Sequence, residues 1–435
     1  MRVPEGWREV RLGDLGTWCG GGTPSKRNPD YWQGPIPWVS PKDMRGPELW
    51  DTEDHISDEA VADSATNVVP PGSVLLVTRS GILRHTLPIA LAKVSVAINQ
   101  DIKALQPGPL TTGYFAAQLL RWHEKKLLER CAKVGTTVES IDFSALLAFK
   151  VCLPPLAEQE RISSILSSVD EAIESTQVVI DQLQVVKKAM MAELLTKGTP
   201  GRHSRFKKTE IGEVPEGWDV LRLGDCLREP IRNGYSPVCP KTPTGRWILH
   251  LGAVTADGFN PTALKPAPLD DARLNSATLE SGDIVVSRSN TRERVGLAGM
   301  YRGEPANCFY PDLLMRVRTN RDLLPDFLEL VLLSERGRAY LSSSARGTSE
   351  SMVKINRTVL EAFPVQLPSL AEQREIVSAI SSVQDRMNVE WKWQRGLQEL
   401  KSALLAGLLT GEVRVPDGAP IPGRSAVAGE GRAEG

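Results

Sequence analysis

The sequence predicts an α+β chain. Two similar mixed α/β domains are separated by two long antiparallel coiled-coil helices, and the whole forms an internal pseudo-twofold repeat. Three observations carry this expectation. Between a proline turn at 154–155 and Lys197 the chain has neither Gly nor Pro. Apolar residues recur there on a 4-3 rhythm at Ile162, Leu166, Val169, Ile173, Ile180, Leu183, Met190 and Leu194, the pattern of a coiled-coil seam. The stretch then returns: LPPLAEQERI at 153–162 becomes LPSLAEQREI at 367–376, followed by Ile380, Val383, Met387, Leu397, Leu404 and Leu408. Finally, the repeat reaches back into the segments before each helix. The antiparallel sense is expected because the chain crosses a whole domain between the two helices.

In order along the chain, residues 1–152 form the first domain. VPEGW (3–7) and LGD (12–14) open it and recur at 214–218 and 223–225. Dense Pro and Gly in 20–41 predict turns between short strands. The β-branched run Val74–Thr78 predicts a buried strand, and Tyr114–Arg130 has helical spacing. Residues 153–198 are the first long helix. Its seam is interrupted by Thr176 and Lys187, matched in the second by Glu390 and Lys401, and the two lysines are expected to lie apart in an antiparallel pair. Residues 199–213, basic and poor in apolar residues, form a linker. Residues 214–366 are the second domain, with a strand at Ile284–Ser287 and a helix at Leu324–Leu341. Residues 367–411 are the second long helix, in which Gly396 and Gly407 each cost about 1 kcal/mol relative to Ala and predict a kink or dependence on the partner. Residues 412–435 lack periodicity and are expected to be a disordered tail.

Composition argues against several functions. With 52 basic and 53 acidic residues the net charge is −1, so charge alone does not announce a nucleic-acid binder. Six cysteines show no CxxC spacing and suggest neither zinc nor disulfides, which fits a cytoplasmic protein. No signal peptide or membrane-length apolar run is visible. NPDY at 28–31 lacks the second proline and the upstream glycine-rich turn of an adenine methyltransferase. GGGTPSK at 20–26 fails the P-loop spacing and reads as a flexible loop, although Thr23 and Lys26 remain able to touch a phosphate. The five histidines form no ligand motif. No catalytic residue and no metal ligand is assigned.

The arginine-rich runs are different. Arg288-Ser289-Asn290-Thr291-Arg292-Glu293-Arg294 follows one predicted strand, and Arg79-Ser80-Gly81-Ile82-Leu83-Arg84-His85 follows the other. Such side chains read base edges and grip phosphate, so Arg79, Ser80, Arg84, His85, Arg288, Ser289, Asn290, Arg292 and Arg294 are candidate DNA contacts. With one residue less in the second copy, Arg79 and Arg288 align as counterparts. Lys42, Arg45, Asn233, Tyr235, Arg246 and His250 are further candidates in loops that differ between the domains.

VPEGW…LGD, GSVL or GDIV followed by RS, GTT (135–137) or GTS (347–349), and LPPLAEQ or LPSLAEQ before a long helix, all present twice, resemble the specificity subunit of type I restriction–modification systems. The resemblance covers nearly all of the chain except the tail, and Ser369 in place of a second proline is a small departure. It implies that each domain is a target recognition domain reading half of a bipartite, asymmetric sequence in double-stranded DNA. It implies two modification (methyltransferase) subunits and restriction (translocase and endonuclease) subunits as partners. S-adenosylmethionine, ATP and Mg then belong to those partners, and this chain carries no cofactor. The competing readings are a DNA-free coiled-coil scaffold and a stand-alone DNA-binding regulator.

Overall fold

The computed structural model describes residues 3–133, 138–347 and 352–416. The chain divides into two compact units, 1–177 with 392–435, and 178–391. Each unit therefore takes a domain, half of one long helix and half of the other. The repeated GTT and GTS motifs fall outside the described residues at 135–137 and 348–349.

Unit 1 is built on a five-stranded sheet. Strand Ile102–Pro107 sits between Gly16–Gly20 and Val74–Val77, and Ile89–Ala92 and Glu48–Leu49 extend the edge. Every residue of Val74–Val77 is buried, as its unbroken apolar run requires. A second sheet contains Ile36–Val39, paired in parallel with Val96–Ile98. The expected helix over 114–130 is two helices, Gly113–Trp122 and Glu124–Cys131, broken at His123. Unit 2 repeats this plan. Its sheet runs Arg232–Asn233, Leu314–Val317, Ile284–Ser287, Ala298–Met300. Its helical stretch breaks at the matching place, between Pro325–Leu333 and Glu335–Ser344, where Ser334 caps the second helix. The linker expectation for 199–213 gives way to structure, because Phe206–Thr209 pairs with Gly212–Pro215 as a hairpin.

The first long helix spans Leu156–Lys197 and the second Leu370–Thr410. Each ends in a glycine with positive φ, Gly198 at 77° and Gly411 at 75°, a left-handed C-terminal cap that side chains with a Cβ resist. In unit 1 the helices pair antiparallel: Lys401 meets Asp170 at 2.5 Å, and Gln394 donates to Gln177 at 2.8 Å. In unit 2 Lys187 donates to Gln384 at 2.7 Å. The polar breaks in the seam are thus satisfied separately, each lysine by a residue of the opposite helix. The second helix runs without a break through Gly396 and Gly407. At Gly407 the carbonyl accepts from the Val413 amide at 3.0 Å, and an added Cβ would lie 2.8 Å from the Val413 side chain.

The repeated motifs lock the helices to the domains. Glu158 is buried and accepts from Trp7 Nε1 at 3.3 Å and from Arg414 at 2.8 and 2.9 Å. Glu372 accepts from Trp218 Nε1 at 3.0 Å, the Thr199 amide at 3.1 Å and a His203 ring nitrogen at 2.8 Å. Burial pushes the Glu372 carboxyl up, but these bonds outweigh it and hold it below the usual range. Gln159 donates to the Leu110 and Pro154 carbonyls and accepts from Thr111. Gln373 donates to the Asp322 and Pro368 carbonyls and accepts from the Leu324 amide. Both amides are completely buried, so their full pairing is what makes the burial tolerable. Residues 412–416, expected with the disordered tail, instead hold unit 1. Arg414 also donates to the Glu5 carbonyl, and Val415 is buried. The rest of that tail, 417–435, lies outside the described residues.

Candidate nucleic-acid interface

In unit 1 a recess of about 380 Å³ is lined by Thr23, Lys26, Trp38, Ser40, Lys42, Asp54, Asn99 and Gln100. The glycine run delivers Thr23 and Lys26 to it. This run is a packed turn, contrary to the flexible loop expected. The Gly22 amide bonds the Ile98 carbonyl at 3.1 Å, and a Cβ on Gly21 would lie 1.8 Å from that same oxygen. Trp38 is buried, donates to the Gly22 carbonyl and stacks edge-on against Trp32, over which the Lys26 ammonium sits at 5.8 Å. Asn99 and Gln100 form the tip between Val96–Ile98 and Ile102–Pro107. Gln100 Oε1 accepts from Thr23 at 2.5 Å. This wall offers amide, hydroxyl and ammonium groups, the donors and acceptors that read base edges.

The sequence had singled out Thr23, Lys26 and Lys42 in this recess. It missed Trp38, Ser40, Asn99 and Gln100, whose signal is only a polar Asn-Gln-Asp tip between apolar strands. Lys42 is tied to Asp54 at 2.8 Å and Glu53 at 3.0 Å. Arg45 bonds Glu53 and the Lys42 carbonyl. Away from the recess, Arg79 pairs with Asp101 at 2.7 Å, Arg84 with Glu139, and Ser80 caps the turn Gly81–Arg84. His85 is exposed.

In unit 2 a recess of about 510 Å³ is lined by Ile231, Arg232, Asn233, Arg288, Asn356 and Arg357. It joins Asn233 and Arg288 to three polar residues that sequence reasoning missed. The other candidates are spread out. Tyr235 donates to Asp271 at 2.9 Å under the Arg273 guanidinium. Arg246 donates to the Pro268 and Leu269 carbonyls and lies over Phe309. His250 Nδ1 accepts from the Gly252 amide. Asn290 accepts from the Thr291 amide, and Arg292 donates to the Ser342 carbonyl. Arg294 lines a separate, smaller recess with Glu293 and Arg338. Ser289 is only 3% exposed, which removes it from the surface.

The expected match of Arg79 with Arg288 is off by one residue. The Arg288 amide bonds the Leu313 carbonyl, and its own carbonyl accepts from Ile355. The residue of unit 1 with the matching bonds, to Asp101 and from Ile141, is Thr78. Arg79 bridges Ser140 as Ser289 pairs with Lys354. In an extended chain successive side chains leave on opposite sides, so Arg79 and Arg288 are not equivalent.

Residues 4–185 match the type I restriction modification DNA specificity domain. A type I restriction enzyme specificity subunit of Methanocaldococcus jannaschii is 27% identical over 95% of both chains. Along nearly its whole length the chain resembles type I restriction–modification specificity subunits. An Escherichia coli specificity subunit is 41% identical over 37% of this chain and 40% of its own length. The crystal structure of an S subunit from M. genitalium covers 92% of this chain and 96% of its own, with a TM-score of 0.55 and 14% identity. That likeness shows the fold alone: the paired domains and long helices are the architecture of such subunits. None of the helices among the described residues is long and apolar enough to cross a membrane.

Proposed function

We propose that this chain recognises a bipartite, asymmetric sequence in double-stranded DNA, one half with each unit, and directs partner subunits to it. The observation that carries this is the pairing of one repeated frame with loops whose residues differ, 20–60 in unit 1 against 229–275 in unit 2. A frame built twice with the same locks needs no such divergence if it serves only as a scaffold, whereas two half-sites of different sequence require it. The long helices then act as spacer and docking surface. Modification subunits, two of them by family resemblance, supply S-adenosylmethionine-dependent adenine methylation, and restriction subunits supply ATP- and Mg-dependent translocation and cleavage. This chain's own groups set position and sequence choice, while extrusion of the target adenine falls to the methyltransferase.

The test is to co-express the chain with its modification subunits and sequence the methylated DNA. The expected result is a single motif with two unrelated half-sites and one fixed gap. Absence of modification, or a continuous palindromic motif, contradicts the proposal. Co-purification with those subunits separates it from a stand-alone regulator.

A further inference from the structure

Unit 2 carries a cluster that unit 1 lacks. Arg232, Arg288 and Arg357 line one recess, and no carboxylate is among its lining residues. The strand ladders identify the corresponding places in unit 1. Arg232 faces Arg316, which faces Val285; Cys19 faces Ala104, which faces Leu75. Arg288 corresponds to Thr78 by its main-chain bonds. Arg357 is the first residue of a short helix capped by Asn356, and Phe143 the first of one capped by Asp142. Three guanidiniums thus stand where unit 1 has a thiol, a hydroxyl and a phenyl ring. In unit 1 that ring packs on Trp18 and under the Lys103 ammonium.

We propose that the arginine recess of unit 2 anchors DNA phosphodiester groups, so that the two units hold the duplex by different means. The inference rests on the DNA-recognition reading above. One guanidinium already saturates the O6 and N7 of a guanine, so three around one recess exceed what a base edge can use. Phosphate oxygens accept several charge-assisted bonds at once, and the forked guanidinium suits them. Some of this charge is already engaged: Arg357 pairs with Glu361 at 2.6 Å, and Arg288 donates weakly to the Asp312 carbonyl at 3.4 Å. Arg232 and Arg357 are exposed, so reaching a phosphate requires no opening of the core. The Asn356 oxygen is committed to the Val359 amide at 2.9 Å, which leaves its amide nitrogen as a further donor.

The experiment uses the full chain in complex with its modification subunits. Arg232→Gln, Arg288→Gln and Arg357→Gln are combined, and affinity for cognate and non-cognate duplexes is measured from 50 to 200 mM salt. The slope of log affinity against log salt is expected to become shallower by about 2 to 3, at about 0.9 for each lost phosphate contact. Cognate and non-cognate binding weaken together, and the methylated motif stays unchanged. An unchanged slope overturns the proposal. So does a motif relaxed at one base with the slope intact, which makes an arginine a base reader. If the triple variant does not fold, the exposed single variants Arg232→Gln and Arg357→Gln are each expected to lower the slope by about 1, and a wild-type slope in both overturns the proposal. A wild-type complex that methylates no defined sequence sinks the recognition reading itself, and the anchoring inference with it.

Discussion

Unit 1 and unit 2 agree at the locks that fasten each long helix to its domain and differ around them. Both place a tryptophan N–H on a buried glutamate at the start of a long helix, and both bury the next glutamine against two carbonyls. Beside these points the chemistry changes. Asp283 and Arg318 form a nearly buried ion pair in unit 2 at positions where unit 1 has Ser73 and Gln106, and Ser73 simply donates to the Pro70 carbonyl. Asp170 faces Lys401 across the helices of unit 1, while the equivalent Gln384 faces Lys187 in unit 2. The lesson is that a buried position that fastens helix to domain admits few residue types. A position whose partner is another side chain can change with it, and one facing solvent can change alone.

The comparison can be broken most severely in the cores. Phe115 and Phe327 occupy matching helices and are 1% and 0% exposed. Phe115→Ala and Phe327→Ala are each expected to cost about 3–5 kcal/mol, read by urea unfolding with hydrogen exchange to locate the loss. Each loss should fall on its own unit, and equal loss in both would show that the units are not independent.

A smaller effect sharpens the difference between the locks. Arg414→Ala removes the cation that clasps Glu158 from both oxygens and is expected to cost about 2–3 kcal/mol. His203→Ala leaves Glu372 its bonds from Trp218 and Thr199 and is expected to cost about 1–2 kcal/mol. Thermal unfolding of the two variants checks the order, and a larger loss for His203→Ala reverses it.

Much of the frame was legible because its signals are periodic or repeated. A seam of Ile and Leu over a 42-residue helix needs no tertiary information, and the paired motifs announce two domains. What those motifs do was not legible, since Trp7 and Glu158 meet across 151 residues of sequence. The candidate recesses were partly legible for the same reason. Thr23 and Lys26 stand in a visible loop, but Gln100 joins them only when two strands bring its turn alongside. Arg246 and Tyr235 looked available because their partners, Phe309 and Asp271, lie far along the chain. The pairing of Arg79 with Arg288 failed because a gap of one residue in an alignment is invisible to composition and yet inverts a strand's two faces.

The central claim is that the two units read separate half-sites with separate side chains. Gln100→Ala tests it most directly, because this amide stands in the recess of unit 1 and makes no contact that holds the helices. Methylated DNA from the complex carrying this variant should show one half-site relaxed at one base pair, a loss of about 1–3 kcal/mol of discrimination. The other half-site and the gap should be unchanged. A motif identical to the wild type, or one altered in both halves, would contradict the account.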